Sequence, residues 1–323
     1  MTKKRLILLD GHALLFRAYH AMPAFTAPDG RPSGAVYGFA NVLVRVIREL
    51  EPTWLVTCFD APGPTFREEV YPDYKATRAE TPADLITQEP MTKEVVSAFG
   101  IPHLAVAGWE ADDLIATLVE QAVAKSEVRN QKSEIDQVII VTGDRDLLQL
   151  SQPKVKIYLL RSSTKEIVLL DEADVTELIG VPPTQLLEWK ALRGDPSDNI
   201  SGVPGVGDKT ALILIKEFGT LERLYQHVES GKSDLSAGGS AGRKISDWIV
   251  SNLLAYKERA FQNRELLTVR TDAPVTLDLV AAHHSNYQPV RARTTLGQFG
   301  FKGILSRLPD VLHPAQPGLF GEN

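Results

Sequence analysis

Nine acidic residues carry the strongest chemical signal in this chain. Asp10 closes the apolar run Arg5 to Asp10 (RLILLD), Asp60 closes Trp54 to Asp60 (WLVTCFD), and Asp144 follows Gln137 to Thr142 (QVIIVT) after Gly143. Asp146 stands two residues beyond Asp144, and in an extended segment that spacing points both carboxylates the same way. Glu110, Asp112 and Asp113 surround a predicted helix start in GWEADD, where acids also simply complement the macrodipole. Asp195 and Asp198 are three apart, a spacing that places both on one face of a helical turn. Carboxylates gathered without His or Cys suit a hard divalent cation, Mg2+ or Mn2+ rather than zinc. Two carboxylates about 4 Å apart repel by roughly 4 kcal/mol at an effective dielectric of 20, so a set this large needs cations. A pair of ions can activate water and stabilise the leaving oxygen of a phosphodiester, which makes hydrolysis of nucleic acid the natural reaction.

Immediately after Asp198, Gly202, Pro204, Gly205 and Gly207 predict a tight turn before an apolar helix starting near Lys209. Amides left unpaired at such a helix start can hold a phosphate without reading a base, and a plain capped turn fits the same residues. Gly202 to Thr210 (GVPGVGDKT) is not a nucleotide P-loop, because Asp208 separates the last Gly from Lys209 and no apolar strand leads in.

The elements that must position these groups follow from periodicity. Strands are predicted at Arg5 to Asp10, Trp54 to Asp60, Pro102 to Val106 and Gln137 to Thr142, with Lys154 to Leu160 and Glu166 to Leu170 as paired edge strands. Helices are expected at Ala13 to Tyr19, Ala35 to Leu50, Met91 to Phe99 and Leu114 to Lys125. In an open parallel sheet, ligands bind outside the carboxyl ends of the strands, so Asp10, Asp60 and Asp144 should meet in one crevice. From about Asp171 the chain turns helical, at Ala173 to Ile179, Pro183 to Leu192, Lys209 to Phe218, Leu221 to Val228 and Lys244 to Asn263, with a Gly/Ser-rich loop predicted at Ser230 to Gly242. Pro64 to Pro90 is rich in Pro, charge and tyrosine, including Arg67, Tyr71, Tyr74, Lys75, Arg78 and Glu80, without sustained periodicity. Such a connection is either a solvated loop or an arm that touches phosphates. Asp310 to Asn323 reads as a polar tail or linker.

The 323 residues are 43% hydrophobic and 24% charged, which is ordinary globular material with room for two lobes. Cys58 is the single cysteine and lies in an apolar run, so no internal disulfide can form. The apolar run near the N-terminus is too short for a signal peptide or a membrane span, and a cytoplasmic monomer is expected. A net charge of −6 argues at first against a nucleic-acid partner, but setting the nine acids aside leaves 32 Asp and Glu against 35 Lys and Arg.

The blocks LILLDGHALLFRAYHA, GAVYGFANVL, FDAPGPTFREEVYPDYKATR, GWEADD, TGDRDLLQL and GDPSDNISGVPGVGDKTA occur in an order that resembles the 5'-nuclease domain of bacterial DNA polymerase I, in the flap endonuclease superfamily. The resemblance runs from Leu6 to about Leu305. It implies an α/β fold: a mixed, mainly parallel sheet flanked by helices (a PIN-like nuclease core, residues 1–170), an arch at about 62–90, a helical DNA-binding lobe at 171–305 with a helix-hairpin-helix at about 183–220, and a tail at 306–323. It further implies one metal group of Asp10, Asp60, Glu110, Asp112 and Asp113, and a second of Asp144, Asp146, Asp195 and Asp198. Arg17, Tyr74, Lys75 and Arg78 fall on positions that hold the 5' strand and its scissile phosphate. Gly202, Gly205, Gly207, Lys209 and Thr210 fall on the hairpin that touches the DNA backbone, whose carbonyls, here those of Val203 and Val206, bind K+.

The expected activity is a structure-specific 5' nuclease using two Mg2+ ions, with Mn2+ as an alternative. It would cut 5' flaps, nicked duplex ends and RNA primers, leave a 5' phosphate and a 3' hydroxyl, and have polymerase and ligase as companions. The chain has no room for the lobes of a complete polymerase I, so it reads as a free-standing nuclease or a separated N-terminal domain. A single-strand ribonuclease on the related small nuclease fold and a non-catalytic binder of branched DNA are the rival readings.

Overall fold

The structure is a computed structural model that describes residues 3–127, 135–160, 167–231 and 246–309. The predicted Gly/Ser-rich loop lies outside these beyond residue 231, and the predicted tail lies outside them from residue 310.

The central sheet has six strands in the order β3-β2-β1-β4-β5-β6. They are β1 (Arg5–Asp10), β2 (Trp54–Cys58), β3 (His103–Leu104), β4 (Gln137–Thr142), β5 (Val155–Leu160) and β6 (Ile167–Leu170). All neighbours are parallel except β5 and β6. Ile7 stands opposite Leu55 on one side and Ile139 on the other, which aligns the carboxyl ends of the three central strands. Of the two strands expected as an edge pair, only β6 lies at an edge, because β5 also pairs with β4. The expected third strand shrinks to two residues, since it pairs only with Thr57 and Cys58.

Helices α1 (Gly11–Ala21), α2 (Gly34–Leu50), α3 (Phe66–Val70), α4 (Ala83–Ala98) and α5 (Ala111–Glu127) belong to the same layered unit. Ile7, Leu9, Leu55 and Ile139 face α1, α2 and α4 through Leu14, Phe39, Leu43 and Val95. Leu6, Leu8, Val56 and Ile140 face α5 through Leu114, Ile115 and Leu118. Burial on both faces is why these strands read as unbroken apolar runs. The stretch Pro64 to Pro90 is more regular than its composition predicts, because α4 begins at Ala83 and runs through Pro90. A proline inside a helix costs about 3 kcal/mol. Burial of Leu85, Met91, Val95 and Val96 on the same helix opposes that cost.

Beyond β6 come α6 (Glu172–Ile179), α7 (Leu186–Arg193), a small hairpin of β7 (Gly194–Asp195) and β8 (Ile200–Ser201), and then α8 (Asp208–Phe218), α9 (Leu221–Glu229), α10 (Asp247–Ala255) and α11 (Lys257–Leu267). Their shared core includes Val181, Leu192, Val203, Val206, Leu214, Leu224 and Leu253. The helix expected to run unbroken to Asn263 is interrupted at Tyr256, which has φ −113° and ψ 22°. The chain then returns to the sheet unit through α12 (Pro289–Gln298) and α13 (Lys302–Leu305), where Leu296 and Ile304 join the first core.

Candidate active site

Asp10 is both the last residue of β1 and the cap of α1. Its Oδ1 accepts the Ala13 N–H at 3.0 Å, and its Oδ2 accepts the Thr142 hydroxyl at 2.6 Å across to β4. Burial pushes Asp10 up to about 7 against these bonds, with the charges of Asp144 and Asp60 adding to the shift. Asp60, two residues past β2, accepts the Ala111 N–H at the start of α5 at 2.7 Å, and its other oxygen lies 3.5 Å from His12 Nε2. Asp112 is raised well above the usual carboxylate range by burial, then by Asp10, Asp144, Glu110 and Asp60. Carboxylates from four separate segments therefore feel one another across the strand ends.

Asp144 and Asp146 do not lie on an extended segment as expected. The Asp144 N–H donates to Thr142 Oγ1 at 2.9 Å, and Asp144 Oδ1 accepts the Asp146 N–H at 2.8 Å, so the chain turns into a 3-10 helix at Asp146–Leu150. Asp195 and Asp198 likewise differ from a helical pair. Asp195 ends β7 in an extended conformation and caps a 3-10 turn through the Ser197 N–H at 3.0 Å, while Asp198 closes that turn. The intervening Pro196 carries no N–H to continue a regular helix. One oxygen from each of Asp146, Asp195 and Asp198 nevertheless lies within 4.8 Å of the others.

Lys190, on α7, sits between Asp146 and Asp195, bonding both, the latter at 2.5 Å. Burial pushes Asp146 up to about 6, with Asp144 adding and Lys190 opposing. Burial acts on Asp195 as well, but Lys190 and Ser197 outweigh it and hold that carboxyl below the usual range.

The segment after α3 closes over both acid groups. Lys75 Nζ reaches Glu110 at 2.6 Å, and Arg78 Nη2 reaches Asp198 at 2.5 Å. Lys75 adopts φ 57°, an uncommon region for a non-glycine residue that often marks functional sites. Its N–H donates to the Asp198 carbonyl at 3.0 Å, and the Asn199 side chain donates to the Asp73 carbonyl at 2.8 Å. Tyr74, expected on the 5' strand, is instead 6% exposed, with its hydroxyl 3.3 Å from both Glu110 and Asp198. It links the two acid groups from within.

Seven of the nine acids, Asp10, Asp60, Glu110, Asp112, Asp144, Asp146 and Asp195, line a cavity of about 780 Å³ together with Arg17, Lys75 and Arg78. Asp198 lies beside them in a small adjoining space shared with Asp112, Asp144 and Asp146. Asp113 is not among them. It is fully buried, both its oxygens are held by Arg67, and it also accepts the Arg270 N–H at 2.8 Å.

The oxygen-only donor set at Asp146, Asp195 and Asp198 fits a hard divalent cation. Burial and neighbouring carboxylates raise Asp10 and Asp112, and a bound cation would oppose both effects. Sequence reasoning missed His12, Arg145 and Lys190 in this cavity. Lys190 had no distinctive local signal, because α7 also carries Glu188 and Arg193.

At the hairpin, Gly202 packs on the backbone of Arg193, where an added Cβ would come within 2.2 Å of the carbonyl carbon. Gly205 has φ +81° and lies under the Trp248 ring. Gly207 precedes α8 without a side-chain cap, leaving Gly207, Asp208 and Lys209 exposed and Thr210 half-buried at the helix start. The side chains of Val203 and Val206 are buried, and the Val203 carbonyl accepts the Val206 N–H at 3.0 Å.

No helix among the described residues is long and apolar enough to cross a membrane. DNA polymerase I of Mycobacterium leprae is 41% identical over 316 residues, covering 97% of this chain and 32% of the relative. DNA polymerase I of Bacillus subtilis is 32% identical over 306 residues, covering 95% and 32% respectively. The chain thus spans about a third of the length of these relatives. The T5 D15 protein co-crystallised with metal ions is similar in fold, with a TM-score of 0.62 at 22% identity over 92% of this chain and 99% of that one. The catalytic core of Rad2 in complex with DNA substrate gives 0.60 at 16% identity over 94% and 92%. Residues 5–180 match the 5'-3' exonuclease N-terminal resolvase-like domain, and residues 181–289 match the 5'-3' exonuclease C-terminal SAM fold. With those two models covering most of its length in sequence order, the chain belongs to the 5'-3' exonuclease family.

Proposed function

We propose that this chain is a structure-specific 5' nuclease that hydrolyses phosphodiesters in 5' flaps, nicked duplex ends and RNA primers paired to DNA. The observation that carries the reading is the meeting of two acid groups in one cavity whose arch side is lined by Lys75 and Arg78. Family membership supports the reaction class. In this reading residues 1–170 form the nuclease core with its arch at about 62–90, and residues 171–305 form a DNA-binding lobe.

Asp146, Asp195 and Asp198, with Asp144 beside them, would hold one divalent cation, and Asp10, Asp60, Glu110 and Asp112 a second. Mg2+ suits these ligands, with Mn2+ as an alternative. Such a pair of cations supplies an activated water and stabilises the leaving oxygen. The protein's own part is to fix and to screen. Thr142 and the Ala13 amide hold Asp10 in place, the Ala111 amide holds Asp60, and the Asp146 amide holds Asp144. Lys75, Arg78 and Arg17 contribute positive charge to the cavity wall, where a positioned cation stabilises a phosphate most as charge develops on it. The uncapped start of α8 offers amides to a duplex backbone, and the carbonyls of Val203 and Val206 would hold K+ there.

Cleavage of a 5'-labelled double-flap DNA beside a matching single-stranded RNA tests the proposal, with Mg2+, with EDTA and with Asp195→Ala. Flap release that needs the metal and disappears in the variant is expected. A flap that is bound but never cut would favour a non-catalytic binder, and cleavage of the RNA alone would favour a ribonuclease. A DNA polymerase is the partner suggested by the curated relatives.

A further inference from the structure

Arg145 stands between Asp144 and Asp146 and bonds neither. The Asp146 amide is taken up by Asp144 Oδ1, Lys190 takes the Asp146 carboxylate, and Arg145 itself is exposed, with no protein partner among the described residues. Its backbone is nonetheless fixed. The Arg145 carbonyl accepts the Leu148 N–H at 3.1 Å, and Leu147 and Leu148, just beyond Asp146, are buried in the second core.

A second guanidinium reaches the same place. Arg17, from α1, donates to the Gly143 carbonyl at 3.2 Å, and its side chain lies so close to Gly143 that an added Cβ would be 3.0 Å from Arg17 Cδ. Both arginines line the active-site cavity. Burial lowers the Arg17 pKa, and the charge that lowers it further is that of Arg145. Arg17 is thus tied to the backbone two residues before Arg145, and both side chains border the cavity that holds the acids.

We propose that Arg145 acts beside Arg17 as a further phosphate-binding residue, holding the phosphodiester next to the scissile one on the cleaved strand. This rests on the nuclease reading above, which supplies the strand. Lys75 and Arg78 are engaged with Glu110 and Asp198 on the arch side of the cavity, whereas Arg17 and Arg145 come from α1 and the loop after β4. The two basic pairs thus approach a strand from different walls. Arg145 binds and positions, and it takes no part in proton transfer.

The test combines two variants with charge-neutralised substrates. Binding of a 5'-flap DNA is followed by fluorescence anisotropy in EDTA over a range of salt concentrations, for wild type, Arg145→Ala and Arg145→Lys. Single-turnover cleavage with Mg2+ is measured alongside. Arg145→Ala should weaken binding by about tenfold and reduce the slope of log K against log salt by about 1. Arg145→Lys should keep the slope. A methylphosphonate at the flanking linkage should weaken wild-type binding by a similar factor and weaken Arg145→Ala no further.

An unchanged salt slope in Arg145→Ala, or losses from the variant and from methylphosphonates on either side of the cut that simply multiply, would overturn the proposal. Because Arg145 is exposed, its variants should melt with wild type, and a fall in the melting temperature would overturn the assignment by showing a structural role. The nuclease reading is judged separately, by whether wild type cuts the flap without methylphosphonates at all. Binding in EDTA reads the Arg145 contact whatever that outcome.

Discussion

Arg67 and Asp113 are joined by two hydrogen bonds of 2.8 Å, with both side chains shut away from solvent. The same guanidinium donates to the Leu266 carbonyl at 2.9 Å and the Thr268 carbonyl at 3.0 Å, so one residue of α3 ties α5 to the end of α11. Burial alone would lower the Arg67 pKa, but Asp113 and Glu110 reverse that and raise it. The carboxylate that the family resemblance places among the metal ligands is here one half of a strut.

Removing one partner of a buried ion pair leaves the other charge uncompensated, at a cost of about 3–5 kcal/mol. Arg67→Ala and Asp113→Asn should each lower stability on that scale in urea unfolding. Calorimetric titration of Asp113→Asn with Mn2+ should still show both sites, whereas Asp195→Ala should lose one. Loss of a site in Asp113→Asn would return Asp113 to the metal ligands.

Lys190 occupies the carboxylate group at Asp146 and Asp195 with a buried ammonium. A Lys190→Met protein should be less stable in EDTA, because it leaves two buried acids facing each other. Its melting temperature should rise more steeply with added Mg2+ than that of wild type, in keeping with mass-action stabilisation of about 2.7 kcal/mol at a hundredfold excess over Kd. An equal Mg2+ response in the two proteins would show that the ammonium and the cation do not share these ligands.

Asp10, pushed up to about 7, and Asp146, pushed up to about 6, bind protons more tightly in the folded chain than in the unfolded one. Between pH 4 and those values the native state holds the extra protons, so stability from these groups is greatest at the acid end and is lost as pH rises through 6 to 7. In EDTA, stability should fall from about pH 5 to pH 8 by an amount on the order of a few kcal/mol, seen as a lower melting temperature, and Mg2+ at pH 8 should restore much of it. A melting temperature that rises over that interval in EDTA would contradict the assignment.

Gly205 should not tolerate a side chain. Its φ of +81° disfavours any L residue, and an added Cβ would lie 2.0 Å from the Trp248 ring. Gly205→Ala is expected to weaken both stability and duplex binding. Adding Trp248→Ala should recover only part of the stability, because the backbone term of about 1–2 kcal/mol remains. Complete recovery in the double variant would assign the whole effect to the ring.

The strand ends were legible because a buried parallel strand must be apolar and must stop where its carboxylate meets the crevice; Asp10, Asp60 and Asp144 announce both facts locally. The turn at Gly202 to Gly207 was legible from its glycines for the same local reason. Arg67 and Asp113 are 46 residues apart, and Lys190 and Asp146 are 44, so nothing in the local pattern shows that these charges meet. The path of α4 through Pro90 was hidden because tertiary packing on α2 overrides a local preference. Asp146 and Asp195 were read with the wrong local geometry, since side-chain caps set their turns.

Asp10 passes from strand to helix with no loop between, and its side chain is held by bonds from α1 and from the neighbouring strand β4. That half of the cleft behaves as the fixed jaw of a vice. Its amides should exchange with solvent hydrogen only when the whole sheet comes apart. The facing jaw, Asp73 to Arg78, rests on a few side-chain bonds, one backbone bond from Lys75 to Asp198, and the bond of the Asn199 side chain to the Asp73 carbonyl. Any widening needed to admit a strand therefore falls on that side, and the acids at the strand ends keep their spacing while it happens.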